Sequence, residues 1–423
     1  MRITRFYIDG YKNLSKCEIQ PNGIHAVTGC NAVGKSNFLD ALTFLKSILD
    51  SRESERLSIF SGRDLDGKSW YPFGHKDRVA TALKIDLQGE ISLNGEDWLF
   101  EYELRSSVPK YSGESDYSAP EDVLSIGYEC LAIKKASAPG KMRNVLLREE
   151  SGTTTYSSEV TRINRKQFVS LPQMPSISML AVRESVDFKK DFPVAWEFLK
   201  GISDISIVAL DPNFLFRFNQ TYPATDNTKS MMESFNRLRI ISVDLFENFE
   251  DIVEDDKISL KSAYWCEYLL RITKINPETK INKKSSPIET TKRLFIYQDG
   301  KVLFPSELST GSIALLALLS IILLPSNNGK TILIEEPEAY LHPKAISDLM
   351  TLLKNLAEDR TIVISTHSPI ILNSLNADQV SVIRLNENNL AFTTKVSDID
   401  EAVDVLERGY VSFGDMLQNN FEP

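Results

Sequence analysis

The chain has 423 residues, of which 42% are hydrophobic and 25% are charged, and this composition is typical of a folded globular protein and excludes collagen-like and disordered classes. Its formal net charge of -10 excludes a protein whose whole surface follows a nucleic-acid backbone, because such a surface needs a positive field. A chain of this length exceeds one simple core, so we expect two or three subdomains.

The four cysteines have no CxxC spacing, so neither a zinc site nor a disulfide framework is predicted. The N-terminal segment MRITRFYIDG has no apolar core of the secretory kind. The most apolar stretch, residues 313–324, has 12 residues, whereas a membrane helix needs about 20. We therefore expect a cytoplasmic protein without a membrane partner, in which 313–324 is a buried helix.

A strand, a glycine loop and a helix are predicted in succession near the N-terminus. The apolar segment Ile24–Thr28 leads into GCNAVGKSN, residues 29–37, which fits the pattern G-x-x-x-x-G-K-[ST] at every fixed position. Residues 38, 42, 45 and 48 are apolar at helical spacing. Backbone N–H groups of such a loop and the following helix N-terminus hold phosphates.

The predicted ligands of this loop are those of ATP and Mg²⁺. Lys35 would contact the β- and γ-phosphates, and Ser36 would hold the metal. The residues that we expect to bind ATP are Gly29, Asn31, Gly34, Lys35, Ser36 and Asn37.

The middle of the chain changes its hydrophobic period. Between about 80 and 180, apolar residues recur at every second position, and NG and PG turn signals lie nearby. This pattern predicts an antiparallel sheet. Between about 185 and 275, segments such as VAWEFLKGI and MMESFNRLRIISVDLFENFEDIV favour helices. The polar and basic stretch 275–293 is predicted to be a loop, and RLFIYQDGKVLF to be a hairpin with its turn at Asp299-Gly300.

Two apolar segments near the C-terminus, TILIEE and TIVIST, are typical of central parallel strands covered on both faces. The first ends in adjacent carboxylates, of which Glu335 would hold the metal and Glu336 would act as general base on water. The second leads to His367, placed where an imidazole could contact the γ-phosphate or orient the water.

The segment SELSTGSIALLAL puts Ser309 and Gly311 at the start of a strongly apolar helix. Such a helix start binds anions. An ordinary serine N-cap explains the same residues equally well.

Together the four motifs resemble the ATP-binding-cassette (ABC) ATPases, in the branch that includes RecF, the SMC proteins and the ATPase domain of the OLD nucleases. GCNAVGKSN resembles Walker A, LSTGS the signature, ILIEEPEAYLHP Walker B with its D-loop, and STHSP the switch histidine. The resemblance implies an α/β P-loop NTPase: an ABC-type ATPase head with an antiparallel β lobe and a helical insertion. It also implies a head-to-tail homodimer, or a larger assembly, with ATP between Walker A of one subunit and Ser309 and Gly311 of the other.

Two features depart from this pattern. Glu335 stands where most cassettes have aspartate, and no glutamine can be assigned as the Q-loop residue. The expected parts are an ATPase lobe with Walker A (1–60), a β-rich part of the head (61–185), a helical insertion (186–290) and a lobe with the signature, Walker B and His367 (291–423).

The resemblance implies a molecular switch that hydrolyses ATP in antiphage defence. Only 56 residues follow His367, too few for the Toprim domain of OLD nucleases, so we expect any nuclease or toxin effector to be a separate chain. A RecF-like DNA-repair clamp and an ATP-bound scaffold that holds an effector silent are the alternatives. Basic segments at 131–148 and 271–293 could contact DNA or RNA phosphates, although solvated loops explain them more simply.

Overall fold

The computed structural model describes residues 1–50, 82–107, 125–149, 154–156, 188–209, 275–283, 290–298, 301–303, 309–323 and 331–396. The strands, in chain order, are β1 Arg2–Asp9, β2 Cys17–Ile19, β3 Ile24–Thr28, β4 Ala82–Leu93, β5 Glu96–Ser107, β6 Ser125–Lys135, β7 Arg143–Arg148, β8 Thr154–Tyr156, β9 Ser206–Ala209, β10 Ile275–Lys283, β11 Thr290–Gln298, β12 Lys301–Leu303, β13 Thr331–Glu335, β14 Thr361–Ser365, β15 Val380–Leu385 and β16 Ala391–Lys395. The helices are α1 Lys35–Asp50, α2 Phe188–Asp191, α3 Pro193–Ser203, α4 Thr310–Leu323, α5 Pro343–Leu356 and α6 Pro369–Asn373.

The chain forms two compact units, each built from separated parts of the sequence. The first unit comprises 1–205, 329–333 and 356–423, and the second comprises 206–328 and 334–355. The first unit therefore contains GCNAVGKSN and His367, while the second contains the signature segment and the two carboxylates. The division into four parts at 60, 185 and 290 stays a prediction.

An antiparallel sheet of the first unit has the strand order β2-β1-β4-β5-β6-β7-β8. This sheet confirms the one predicted from the period of two. It also contains β1, which pairs with β4, and β2, which pairs with β1. Asn94 and Gly95 join β4 to β5 with φ of 53° and 79°, as in a type I′ turn whose twist matches that of the strands. On the buried face, the rings of Phe100 and Tyr102 each lie 5.2 Å from the ring of Phe198 on α3, in the helix predicted from VAWEFLKGI.

The phosphate-loop motif follows a strand of the first unit's other sheet. There β3 lies between β14 and β15 and is parallel to both. Every residue of β3 and of β14 is buried, because parallel strands are covered on both faces. Helix α1 follows β3, and its residues at the predicted apolar spacing, 38, 42, 45 and 48, are all buried. The strand, loop and helix predicted here are confirmed.

In the second unit, the prediction of a loop over 275–293 is wrong. The segment begins with β10, which pairs antiparallel with β11 from Ile275↔Gln298 to Lys283↔Thr290. Strand β10 is at the edge of a sheet ordered β10-β11-β12, where a proline such as Pro277 and a series of charges are tolerated because the outer N–H groups need no strand partner. Those edge features gave the segment the composition of a loop.

The rest of the second unit follows the sequence more closely. Strands β11 and β12 form the predicted hairpin with Gln298 opposite Lys301, whereas its turn at 299–300 and the helical prediction for 231–253 lie outside the described residues. Helix α4 is the expected apolar helix, with Ala314, Leu315 and Leu318 buried. Within the part of the chain that the structure describes, no helix is long and apolar enough to cross a membrane.

A buried histidine gives the first unit a pH-dependent stability. His25, in the middle of β3, is fully buried, and its Nε2 lies 2.9 Å from Ser381 Oγ on β15. Burial lowers the pKa of His25 from 6.5 to about 4. The neutral imidazole is therefore the form that the fold accepts.

We predict that the unfolding free energy falls as the pH falls from about 6.5 to about 4, because the unfolded chain binds a proton at His25 that the folded chain does not. The contribution of this group is at most about 3 kcal/mol over that window, and it is fully present above pH 6.5. Denaturant unfolding of the wild type and of His25→Gln, which can still bond Ser381 but does not titrate, would measure it. Equal pH slopes for the two proteins would show that His25 is not responsible.

Candidate nucleotide-binding site

The loop between β3 and α1 has an unusual backbone. Three of its residues have positive φ: Gly29 at 148°, Ala32 at 62° and Gly34 at 118°. Only glycine adopts such angles at little cost, and a nonglycine residue such as Ala32 must be held there by its surroundings. A loop in which residues of positive and negative φ alternate can gather its N–H groups into a concave set that suits an anion.

Both glycines of the motif also lie against neighbouring atoms. A Cβ on Gly29 would lie 2.4 Å from the carbonyl oxygen of Ile383 on β15, and a Cβ on Gly34 would lie 2.8 Å from Oδ1 of Asn13. At Gly29 a backbone carbonyl leaves no room for a side chain, whereas at Gly34 the Asn13 side chain would have to shift. Both glycines are therefore required by their φ angles, and Gly29 also by its close approach to Ile383.

Lys35, the first residue of α1, lies with its ammonium over the loop. The side chain is buried, and Nζ donates hydrogen bonds of 2.8 Å to the carbonyl oxygens of both Gly29 and Cys30. A cation held there, beside a helix N-terminus, fits a phosphate group. Asn31 and Ser36 are exposed at the same loop, and the Ser36 hydroxyl is an oxygen of the kind that Mg²⁺ binds.

His367 follows a strand that ends beside this loop. Ser365 is opposite Val27, and the N–H of Thr366 donates to the carbonyl of Val27 at 3.1 Å. Since β3 and β14 are parallel, the glycine loop and His367 leave the sheet at the same edge. This is the edge where ligands of parallel sheets bind, and a contact between His367 and a bound nucleotide stays a prediction.

The predicted carboxylates lie in the second unit. Glu335 is the last residue of β13 and is half-buried, whereas Glu336 is exposed and has φ of 43°. A left-handed angle at a glutamate is uncommon. It turns the chain into the segment 337–342, where the N–H of Ala339 bonds to the Glu336 carbonyl at 3.0 Å.

The signature segment begins α4 as a capped helix. Ser309 Oγ accepts the N–H of Ser312 at 3.1 Å and lies 2.8 Å from Ser312 Oγ, so the N-cap interpretation is correct for the geometry. Ser309 and Thr310 are nevertheless exposed. A Cβ on Gly311 would lie 2.8 Å from the carbonyl oxygen of Tyr340, so the helix start packs on the loop that follows Glu336.

Sequence reasoning missed Asn13, Ile383 and Tyr340. Asn13 and Ile383 touch the Walker A glycines, and Tyr340 touches Gly311. Two of these contacts are made by backbone carbonyls, for which no residue type is diagnostic. The only sequence feature that could have pointed to Asn13 is an asparagine in a turn, and this feature is too common to indicate a role at the site.

Several known proteins are similar to this chain or to parts of it. Residues 188–373 match a family model described as "AAA domain, putative AbiEii toxin, Type IV TA system". The "Retron Vc95 probable ATPase" of Vibrio cholerae serotype O1 biovar El Tor is 29% identical over 135 residues. That alignment covers 28% of this chain and 26% of the relative, so the chain matches about a quarter of the relative's length.

Among solved structures, an SMC head bound to the C-terminal winged-helix domain of ScpA matches with a TM-score of 0.51 and 12% identity, over 96% of this chain and 100% of that one. The SMC head domain from Thermotoga maritima has a TM-score of 0.43 and 14% identity, over 93% and 99% of the two chains. The first match shows that the fold is that of a P-loop ATPase head.

The fold and the loop thus define a P-loop NTPase head, which confirms the predicted fold class. The partial matches to the AAA model and to the retron relative support the predicted resemblance to ABC-type ATPases of the RecF/SMC-like branch.

We predict that Gly29→Ala lowers the unfolding free energy by about 2 kcal/mol or more, because it adds both φ strain and a contact with the Ile383 carbonyl. The matched control is Gly127→Ala in β6, where an added Cβ meets nothing within 4 Å and the change should stay within about 1 kcal/mol. Chemical denaturation of both variants would measure the difference. Equal effects at the two positions would contradict the tight packing of Gly29.

Proposed function

We propose that the chain binds ATP with Mg²⁺, hydrolyses it, and acts as a nucleotide-gated switch in which two copies pair head to tail. The observation that carries this proposal is the Walker A loop, with three positive φ angles and the Lys35 ammonium bonded to the carbonyls of Gly29 and Cys30. A loop that its surroundings hold in one conformation loses little conformational entropy when a ligand binds.

Each residue of the first unit's site has a role that its position supports. Lys35 can exchange its two carbonyl partners for phosphate oxygens. Its hydrogen bonds to phosphate are stronger than those to carbonyls, because both partners are then charged. Ser36 would hold Mg²⁺, which when bound neutralises charge on the phosphates. His367, at the same sheet edge, would contact the terminal phosphate or orient water.

The second unit would supply the carboxylates and the signature. Glu335 would complete the metal site, and Glu336 would accept the proton of the attacking water. The start of α4, where Ser309 is exposed, carries the positive end of the helix dipole, and in a head-to-tail pair Ser309 and Gly311 would face the nucleotide of the other copy. The resemblance to ABC-type ATPases supports this pairing.

The relatives support a role in antiphage defence. One relative is named as a retron ATPase and the matching family model as a putative toxin of a toxin–antitoxin system. We infer that closure and opening of the ATPase control a separately encoded effector, a nuclease or a toxin.

A DNA-repair clamp is the second candidate function, and one observation favours it. Lys141 and Arg143 are exposed at the start of β7, where they could meet nucleic-acid phosphates. A clamp would bind DNA directly in an ATP-dependent and salt-sensitive manner. A silent scaffold, the third alternative, would instead hold its effector with slow hydrolysis.

We predict that Lys35→Ala abolishes ATP binding. We expect Glu336→Gln to bind ATP still but to hydrolyse it at least about 100-fold more slowly than the wild type, because this variant loses the general base. Glu358→Gln, an exposed glutamate just after α5, is the matched control and should hydrolyse ATP at the wild-type rate. Phosphate release and equilibrium ATP binding would be measured on all four proteins. Wild-type turnover by Glu336→Gln would refute its assignment as the base.

We also predict that Glu336→Gln, expressed with its native neighbouring genes, is trapped by ATP as a closed dimer that retains its effector. Light scattering of the purified complex with and without ATP would give the assembly size, and mass spectrometry would identify the chains. A nuclease or toxin chain supports the switch. A dimer that retains only DNA would favour the repair clamp.

A further inference from the structure

One amide side chain outside the motif holds the Walker A loop. Asn13 lies in the turn between β1 and β2, and its Nδ2 donates a hydrogen bond of 2.9 Å to the carbonyl oxygen of Val33. Its Oδ1 accepts a bond of 2.8 Å from Nδ2 of Asn37 in the first turn of α1. A single side chain thus bonds the loop just before Gly34 and the helix just after Ser36.

The loop is packed directly on this amide. A Cβ on Gly34 would lie 2.8 Å from Oδ1 and 3.0 Å from Nδ2 of Asn13. Gly34 has φ of 118°, so its peptide turns sharply at the point where the Asn13 amide touches it. The amide occupies the space that a side chain at position 34 would need.

Asn13 is itself fixed by its backbone and its neighbours. Its carbonyl accepts the N–H of Ala391 at 2.7 Å, and the N–H of Ser15 donates to the Ala391 carbonyl at 2.7 Å. Tyr11 OH donates to Asp40 Oδ2 at 2.9 Å, which ties the same turn to α1. The amide is therefore placed by β16 on one side and by α1 on the other.

The planar peptide bond relates the contact with Val33 to the phosphate site. In a trans peptide the C=O of Val33 and the N–H of Gly34 point in opposite directions. When the Val33 carbonyl bonds to Asn13, the Gly34 N–H must point away from Asn13. If that bond were absent, this peptide unit could rotate, because glycine tolerates both orientations.

We propose that Asn13 is a positioning residue of the nucleotide site: by holding the Val33 carbonyl and the Asn37 amide, it keeps the Gly34 N–H directed at the bound phosphate. This inference rests on the proposed function. Asn13 contacts the loop and not the nucleotide, so its effect is on preorganisation. Its loss would raise the dissociation constant and the KM for ATP and leave kcat at saturating ATP close to that of the wild type.

The test measures binding of a fluorescent ADP analogue with Mg²⁺, together with KM, kcat and the melting temperature, on the full chain. Asn13→Ala should weaken binding about tenfold, the effect of losing two hydrogen bonds. Asn13→Asp keeps the volume and the acceptor for Asn37 but cannot donate to Val33, so it should not restore affinity.

The matched control is Asn386→Ala in the hairpin of β15 and β16. Asn386 Oδ1 accepts the N–H groups of Asn388 and Leu390 at 2.9 and 3.0 Å, so its loss also removes two bonds that hold a turn. It should lower the melting temperature without changing nucleotide affinity.

Two results would overturn the inference in distinguishable ways. If the wild type binds nucleotide and both Asn13 variants bind it with the affinity of Asn386→Ala, the positioning role is wrong and the proposed function stands. If the wild type binds nucleotide no better than Lys35→Ala, the proposed function is wrong and the role of Asn13 with it.

Discussion

The backbone of the Walker A loop is the constraint on which the rest of the described structure depends. Three of its residues have positive φ, and such a conformation is costly unless the surrounding chain determines it. The surroundings do so through contact at two points, the Ile383 carbonyl against Gly29 and the Asn13 amide against Gly34. The loop is therefore a product of tertiary structure as much as of its own glycines.

That constraint explains why residues distant in sequence converge in the first unit. The turn that carries Asn13 comes from the antiparallel sheet, while Ile383 comes from a strand parallel to β3. Backbone hydrogen bonds from the Ala391 N–H to the Asn13 carbonyl and from the Ser15 N–H to the Ala391 carbonyl join this turn to β16, the hairpin partner of β15. The two sheets of this unit thus meet at the loop, and residues from both sheets hold its backbone in place.

The sequence predicts this site well where chemistry requires particular residue types. Glycine at 29 and 34 and lysine at 35 are required by φ, by space and by charge, and the buried runs of β3 and β14 follow from parallel pairing. The pairing of β1 with β4 could not be predicted, because it joins segments about 80 residues apart in sequence and no local pattern specifies a partner. Strand β10 was missed because its charges and Pro277 suit an edge strand as well as a loop.

The second unit shows the same dependence on contacts that residue type does not reveal. Glu336 and Tyr340 both have positive φ without being glycine, which only a determined tertiary environment maintains. One element of that environment is the close approach of the Tyr340 carbonyl to Gly311 at the start of α4. Because no side chain fits between them, a movement of the loop after Glu336 toward α4 would displace the start of the signature helix. In the proposed head-to-tail pair, the loop of one site would therefore be mechanically joined to the helix that faces the other, which is the kind of direct packing contact that a two-site switch requires.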